Sequence, residues 1–382
     1  MKIAMIGAKG IPAASGGVER HVEELGARLA EKGHTVTVYN RRGYGDRCAG
    51  RYRSVNIRQV FTIKNKYLEA PVYSFLAAIK AVADGQELIH FHALGPAMMS
   101  FLPRIFGRKT VVTVHGLDWK RAKWGAVARL YLKLCGAAAA VFPHGTIVVS
   151  NKLKDYFSLR YEKRAQKIEY IPNGVTGPSV PESRGYIEKY GLEEKNYILF
   201  LARLVPEKGC HTLLQAFSGL DCDTKLVIAG GSSHSDAYCR KLYRYASDNI
   251  IFVGEVFGDE LRELFGCALF YVLPSETEGM PISLLEAMSY GVCPLVSDIE
   301  ENLEIVSQRG GCGYSFKKGD TEDLKNTLRY MLSHPKEVSA KGDHARRCAC
   351  EAYDWDAVAD KTEALYQKTS LPGRRKQHRS SQ

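Results

Sequence analysis

The stretch ALFYVLPSETEGMPISLLEAM, residues 268–288, decides how the chain folds. Residues 268–274 form an apolar run of strand length, Gly279 and Pro281 punctuate a turn, and ISLLEAM supplies strong helix formers from Ile282 onward. Strand, tight turn and helix in that order are the repeating unit of a parallel sheet covered on both faces. The helix N-terminus then faces the carboxyl edge of the sheet, where its free N–H groups and positive dipole end favour an anion. Glu278 and Glu286 lie eight residues apart around this turn. An ionised carboxylate only accepts hydrogen bonds, so its natural partner here is a sugar or ribose hydroxyl. One ligand carrying both phosphate and sugar meets both demands.

The same alternation runs outward in both directions. KIAMI, TVTVY, NIRQVF, LIHFH, TVVTV, TIVVS and KIEYI read as strands in the first half, and YILFLA, KLVIAG, NIIFVG, ALFYVL, VCPLVS and GYSF in the second. Between the first two, Val18, Val22, Leu25 and Leu29 recur at helical spacing and Gly33 closes the helix. A chain of 382 residues exceeds what one core supports, so two domains of similar size are the expectation. PNGVTGPSVPESRG, rich in Pro, Gly and Ser, marks the boundary, giving domains at 1–178 and 179–350.

Composition narrows the setting. No apolar run approaches the ~20 residues of a membrane-spanning helix, and KIAMIG at the start is a buried-strand pattern rather than a signal peptide, so cytoplasmic residence is expected. The ten cysteines include no C-x-x-C pair and read as reduced thiols. Cys348 and Cys350 have no second ligand pair in sequence and are not read as a metal site. The net charge of +11 is unevenly placed: residues 1–178 hold 28 Lys+Arg against 12 Asp+Glu, and residues 179–382 hold 25 against 30. A strongly basic first half attracts an anionic partner, such as phospholipid headgroups or a pyrophosphate-linked substrate; no nucleic-acid-binding motif accompanies it.

On these residues the chain resembles the retaining glycosyltransferases of the GT-B fold, specifically family 4, whose E-x7-E signature falls on Glu278 and Glu286. The resemblance covers residues 1–368 and implies an α/β architecture of two doubly wound, Rossmann-like domains facing across a cleft. The N-terminal domain would bind the acceptor and the C-terminal domain the nucleotide sugar. WDAVADKTEALY, within 351–370, resembles the helix that returns to the first domain, and the basic tail 371–382 is expected to be disordered.

Further site residues follow. In LARLVPEKG, Arg203 and Lys208 sit at the carboxyl edge of a strand, and a guanidinium with an ammonium forms a diphosphate clamp. The family uses these positions for the leaving nucleotide diphosphate. Gly16 and Gly17 precede a helix and allow close approach of a phosphate; Gly7 and Gly10 do not make the dinucleotide fingerprint. Gly279, Met280, Pro281 and Ile282 are expected on the donor. The resemblance gives His115 the role of reaching the donor sugar near the reacting carbon. Asp118, Trp119, Lys120 and Arg121 would then line the acceptor side. His90 and His92 share a strand face but have no third ligand nearby in sequence, and Asn173 is explained equally by turn chemistry or donor contact.

Two D-x-D strings, at 221–223 and 354–356, lie away from the ligand edge, so no metal or cofactor is expected. The implied activity is transfer of a hexosyl group from a UDP-, GDP- or dTDP-sugar to a glycan, lipid-linked, in polysaccharide or cell-wall biosynthesis. The implied attack is on the same face as the departing phosphate, with retention of configuration. The rival readings are a GT-B nucleotide-sugar epimerase and a non-catalytic nucleotide-sugar-binding protein.

Overall fold

The structure, a computed structural model, describes residues 1–13, 16–44, 50–63, 65, 67–121, 124–179, 181, 183–232 and 235–370. The expectation for the tail 371–382 concerns residues outside this set.

Two sheets carry the chain. The first contains β1 (Lys2–Ile6), β2 (Thr35–Arg41), β3 (Arg51–Tyr52), β4 (Val55–Val60), β5 (Leu88–His92), β6 (Lys109–Val114), β7 (Gly145–Val148) and β8 (Ile168–Tyr170), in the order β3-β4-β2-β1-β5-β6-β7-β8. The second contains β9 (Tyr197–Leu201), β10 (Lys225–Ala229), β11 (Ile250–Gly254), β12 (Phe270–Leu273), β13 (Cys293–Ser297) and β14 (Tyr314–Phe316), in the order β11-β10-β9-β12-β13-β14. All pairings are parallel except that of the two-residue β3 with β4, which the sequence pattern missed because so short a strand has no periodicity to read. Each sheet is doubly wound, with helices on both faces, which is the Rossmann-like arrangement.

Burial explains why the strands read as continuous apolar runs. In β1, Ile3 and Met5 join a core under the helices Gly17–Glu31 and Trp355–Ser370, while Ala4 and Ile6 face Tyr73, Ala77 and Cys135 on the other side. Strand order reverses between β1 and β5 in the first sheet, and between β9 and β12 in the second. Loops leaving adjacent strands in opposite directions open a crevice at such a point. The loop after β9 carries Arg203 and Lys208, and the loop after β12 carries Glu278.

The chain passes between the halves twice, side by side. Val175 N–H donates to the Tyr353 carbonyl at 2.6 Å, and Val175 bridges Asp354. Trp355, 1 % exposed, fills the corner, its ring so close that a Cβ on Gly174 would sit 2.5 Å from it. The helix that follows packs on the helix Gly17–Glu31. His90 holds it down, with Nδ1 2.6 Å from the Tyr366 hydroxyl and Nε2 2.7 Å from Thr113 Oγ1. The carboxylates of the second D-x-D string are engaged in structure: Asp354 accepts from Ala357 N–H at 3.0 Å, and Asp356 accepts from Arg28 Nε at 2.7 Å. Truncating Trp355 leaves a cavity at this double crossing. Trp355→Ala is therefore expected to lower stability by about 3–5 kcal/mol, measured by the urea midpoint with tyrosine and tryptophan fluorescence.

Candidate active site

The carboxyl edges of the two sheets enclose a cleft of about 910 Å³. The two halves meet backbone to backbone at the turn between β12 and the helix Ile282–Ser289. A Cβ on Gly279 would fall 1.8 Å from the His115 carbonyl oxygen and 3.2 Å from Gly116 Cα, so only glycine permits the two backbones to meet. Beside it, Ile282 packs towards Gly17, and Asn173 Nδ2 donates to the Met280 carbonyl at 2.8 Å. Asn173 Oδ1 also lies 2.9 Å from His21 Nδ1, so this one side chain links the first half to the turn.

The helix Ile282–Ser289 begins where the sequence placed it, with Pro281 as its N-cap. Its first turn has no acidic residue and no side-chain cap, which leaves the N–H groups directed at the cleft. Gly279, Met280, Pro281 and Ile282 all line it. Across the switch point, Gly209 at φ 67 lets the 3-10 turn Pro206–Lys208 pass into the helix Cys210–Ser218, and that turn delivers Lys208. Lys208 Nζ forms an ion pair with Glu278 Oε1, with both side chains largely buried at 15 % and 8 % exposure. Arg203 lines the cleft nearby, forms no ion pair among the described residues, and is held below the usual arginine range by burial and then by the charge of Arg121.

Glu286 is the second carboxylate of the pair. Burial raises it to about 7, against which Arg20, 3.9 Å away, pulls only weakly. Near neutrality it therefore carries a proton part of the time and can donate as well as accept. Arg20 was missed in sequence. It sits in the first turn of the helix Gly17–Glu31, where the dipole disfavours a cation, and that misfit was the available signal that its partners lie elsewhere. Its guanidinium also bonds Glu23 at 3.2 Å and Glu24 at 3.1 Å.

His115 is brought to the cleft, as are Gly16, Gly17 and Arg121. The fold adds what sequence spacing did not: His21 and His92 converge on it, with His92 Nδ1 3.4 Å from His115 Nε2. All three are pushed to low pKa, chiefly by burial, His21 to about 4, so the cluster is neutral at physiological pH. Asp118, Trp119 and Lys120 are not among the residues lining the cleft. Trp119 presses on Gly136, Asp118 pairs with Arg121 at 3.1 Å, and Lys120 is exposed. The ring that does reach the cleft from this segment is Trp124. The helical turn 118–120 lies against the helix Ala126–Val141 and sends Trp119 onto it, a choice the sequence pattern could not reveal.

Two facing doubly wound domains with cations, carboxylates and helix N-termini across one cleft define the GT-B class of glycosyltransferase. Residues 183–355 match the family described as glycosyl transferases group 1, and residues 15–176 match glycosyltransferase family 4. The chain belongs to the family 4 glycosyltransferases of the GT-B fold. It is 27 % identical over 371 residues to the GDP-mannose-dependent alpha-(1-6)-phosphatidylinositol monomannoside mannosyltransferase of Mycolicibacterium smegmatis, covering 90 % of this chain and 93 % of that one. Among solved structures it resembles sucrose-phosphate synthase from Thermosynechococcus elongatus, with TM-score 0.81, 21 % identity, and coverage of 96 % and 98 %. It also resembles Anabaena Alr3699/HepE in complex with UDP-glucose, with TM-score 0.77, 15 % identity, and coverage of 96 % and 99 %.

The raised Glu286 carboxyl makes a pH prediction. The folded chain keeps this proton up to about pH 7, whereas the unperturbed value is 4.5. The stability it lends is complete below the unfolded value and lost as pH rises through the folded one. Glu286→Gln stays neutral throughout, so its stability relative to the native chain should increase between about pH 5 and pH 8, by up to about 3 kcal/mol. Urea unfolding of both proteins at the two pH values reads this directly; a constant difference contradicts it.

Proposed function

We propose that this glycosyltransferase moves a hexosyl group from a nucleotide-diphosphate sugar to a lipid-linked glycan acceptor in polysaccharide or cell-wall biosynthesis, with retention of configuration and without a metal ion. The observation that carries the donor reading is the buried Lys208–Glu278 pair at the switch point of the second sheet. A diphosphate competes with Glu278 for the ammonium and, with Arg203 and the amides of Gly279 to Ile282, gains a full set of donors. Glu278 is then released to accept from donor-sugar hydroxyls. Glu286 holds the nucleotide ribose, and its partial protonation lets it pair with a hydroxyl in either sense. Gly16 and Gly17 bring the helix Gly17–Glu31 close to the phosphates, and His115 orients the sugar from the opposite half.

In this reading, residues 1–178 bind acceptor, residues 179–350 bind donor, and 351–370 tie the two together. Breaking the bond to the diphosphate puts positive charge on the sugar and negative charge on the phosphate. The acceptor attacks from the face the phosphate leaves, and the departing phosphate oxygen takes the acceptor proton. The neutral histidine cluster supports this assignment, because imidazoles held at low pKa add no positive charge beside the developing cation. UDP-glucose in the Anabaena relative supports a nucleotide-sugar donor.

The lipid-linked acceptor rests on the surface of the first half. Phe75, Ile79, Ile105, Leu130, Leu134 and Leu159 are exposed on its helices, and residues 101–167 hold 14 Lys+Arg against 3 Asp+Glu. Apolar side chains fringed by cations fit the interface of an anionic bilayer, and the phosphatidylinositol-linked substrate named for the Mycolicibacterium relative points the same way. No helix among the described residues is long and apolar enough to cross a membrane, so contact would be peripheral.

Two experiments follow. Lys208→Ala and Glu278→Ala should each reduce transfer by about 100-fold or more while circular dichroism stays native; native rates in both remove the assignment. Sedimentation with phosphatidylglycerol vesicles should capture the chain at low salt and release it at high salt, while neutral vesicles capture little. Equal capture by both kinds of vesicle argues against the charged face.

A further inference from the structure

Outside the cleft, the fold assembles a second cluster that sequence spacing concealed. His344 and Cys348 stand one turn apart on the same face of the helix Pro335–Ala352, and Cys312 approaches them from the turn before β14. One ligand atom from each lies within 4.8 Å of the others. The distance from Cys348 Sγ to His344 Nε2 is 3.6 Å. Zinc bonds of ~2.3 Å to sulfur and ~2.05 Å to nitrogen, set at the tetrahedral angle, produce an S···N edge of about 3.6 Å. That edge is therefore already in place.

We propose that Cys312, His344 and Cys348 form a binding site for a thiophilic divalent cation, with zinc as the best match. Two thiolates and an imidazole favour zinc over magnesium or calcium, which prefer oxygen. The two sulfurs are enclosed, with Cys312 at 0 % and Cys348 at 1 % exposure, while His344 is partly open and gives an ion a way in. Backbone oxygen also converges here: the Arg309 carbonyl lies 2.9 Å from His344 Nε2 and the Gln308 carbonyl 3.3 Å from Cys312 Sγ. Either of these, or a water, completes four-coordination. Binding replaces two S–H protons, which leave to solvent. His344 Nε2 donates to the Arg309 carbonyl before binding, so the proton moves to Nδ1 through solvent and the Nε2 lone pair is freed for the ion.

The ion would staple the turn at 308–312 to the helix. That turn runs through Arg309, Gly310 and Gly311 at φ 50, 90 and 97, and Gln308 Nε2 reaches the Tyr353 hydroxyl beside the double crossing between the halves. The site is thus structural and lies apart from the residues assigned to transfer. Sequence spacing did not reveal it, because Cys312 and His344 are 32 positions apart.

The test uses the full chain, reduced and stripped with chelator, titrated with Co²⁺ and then Zn²⁺. One equivalent of Co²⁺ should give a thiolate-to-cobalt charge-transfer band that zinc bleaches. His344→Ala, at a partly exposed position, and Cys348→Ser should each weaken binding by about tenfold or more, and zinc should raise the unfolding temperature of the native chain but not of these variants. Cys350→Ser, which alters the exposed neighbour, should bind as the native chain does. Absence of the band at one equivalent in the native chain, or native affinity in both ligand variants, overturns the proposal. Neither result bears on sugar transfer, which is tested at Lys208 and Glu278.

Discussion

The structure depends on a close approach of two backbones: the turn at Gly279 lies directly against the carbonyl of His115. No side chain fits between them. That contact brings the N-terminus of the helix Ile282–Ser289, a donor edge of the second sheet, against the histidines at the edge of the first. Asn173 and Ile282 close the seam on either side, and Trp355 fixes the crossing of the chain behind it. The cleft therefore exists only where the halves meet, and its lining comes from loops more than 100 residues apart, such as those of His115 and Glu278.

Electrostatics then divides the cleft. On the second half, Lys208 and Arg203 stand beside helix N–H groups that no side chain caps, with Glu278 ion-paired to Lys208 and Glu207 close to Arg203. On the first half, the imidazoles are neutral, and Arg20 spreads its charge over Glu23, Glu24 and Glu286. Burial alone would raise the Glu24 carboxyl, but hydrogen bonds from Arg53 and Arg28 and the charge of Arg20 hold it below its usual value. In the proposed function a leaving diphosphate would meet cations, while the sugar would meet carboxylates and uncharged rings. This polarity suits bond cleavage that separates charge.

Much of the fold was readable because each buried strand is a short apolar run bounded by turn residues, and the helix start at Ile282 was marked by Gly279 and Pro281. The cleft position of Arg203, Lys208 and Glu278 was legible for the same reason: they follow strand ends that meet at a switch point. Contacts between the halves were not. Arg20 reaching Glu286, His21 joining His115, and Asn173 spanning to Met280 are encoded in tertiary packing with no local period. Nor was the packing of Trp119 against Gly136 legible, because nothing local to residues 118–120 marks which side of the turn meets the helix Ala126–Val141.

The central claim is that the diphosphate of an activated sugar takes Lys208 away from Glu278. A crystal structure of the chain with a non-hydrolysable nucleotide-diphosphate sugar tests it most directly. The account predicts phosphate oxygens on Arg203, Lys208 and the amides of residues 279–282, with Glu278 turned to the sugar. A structure with the diphosphate bound elsewhere and the Lys208–Glu278 pair still closed would contradict it.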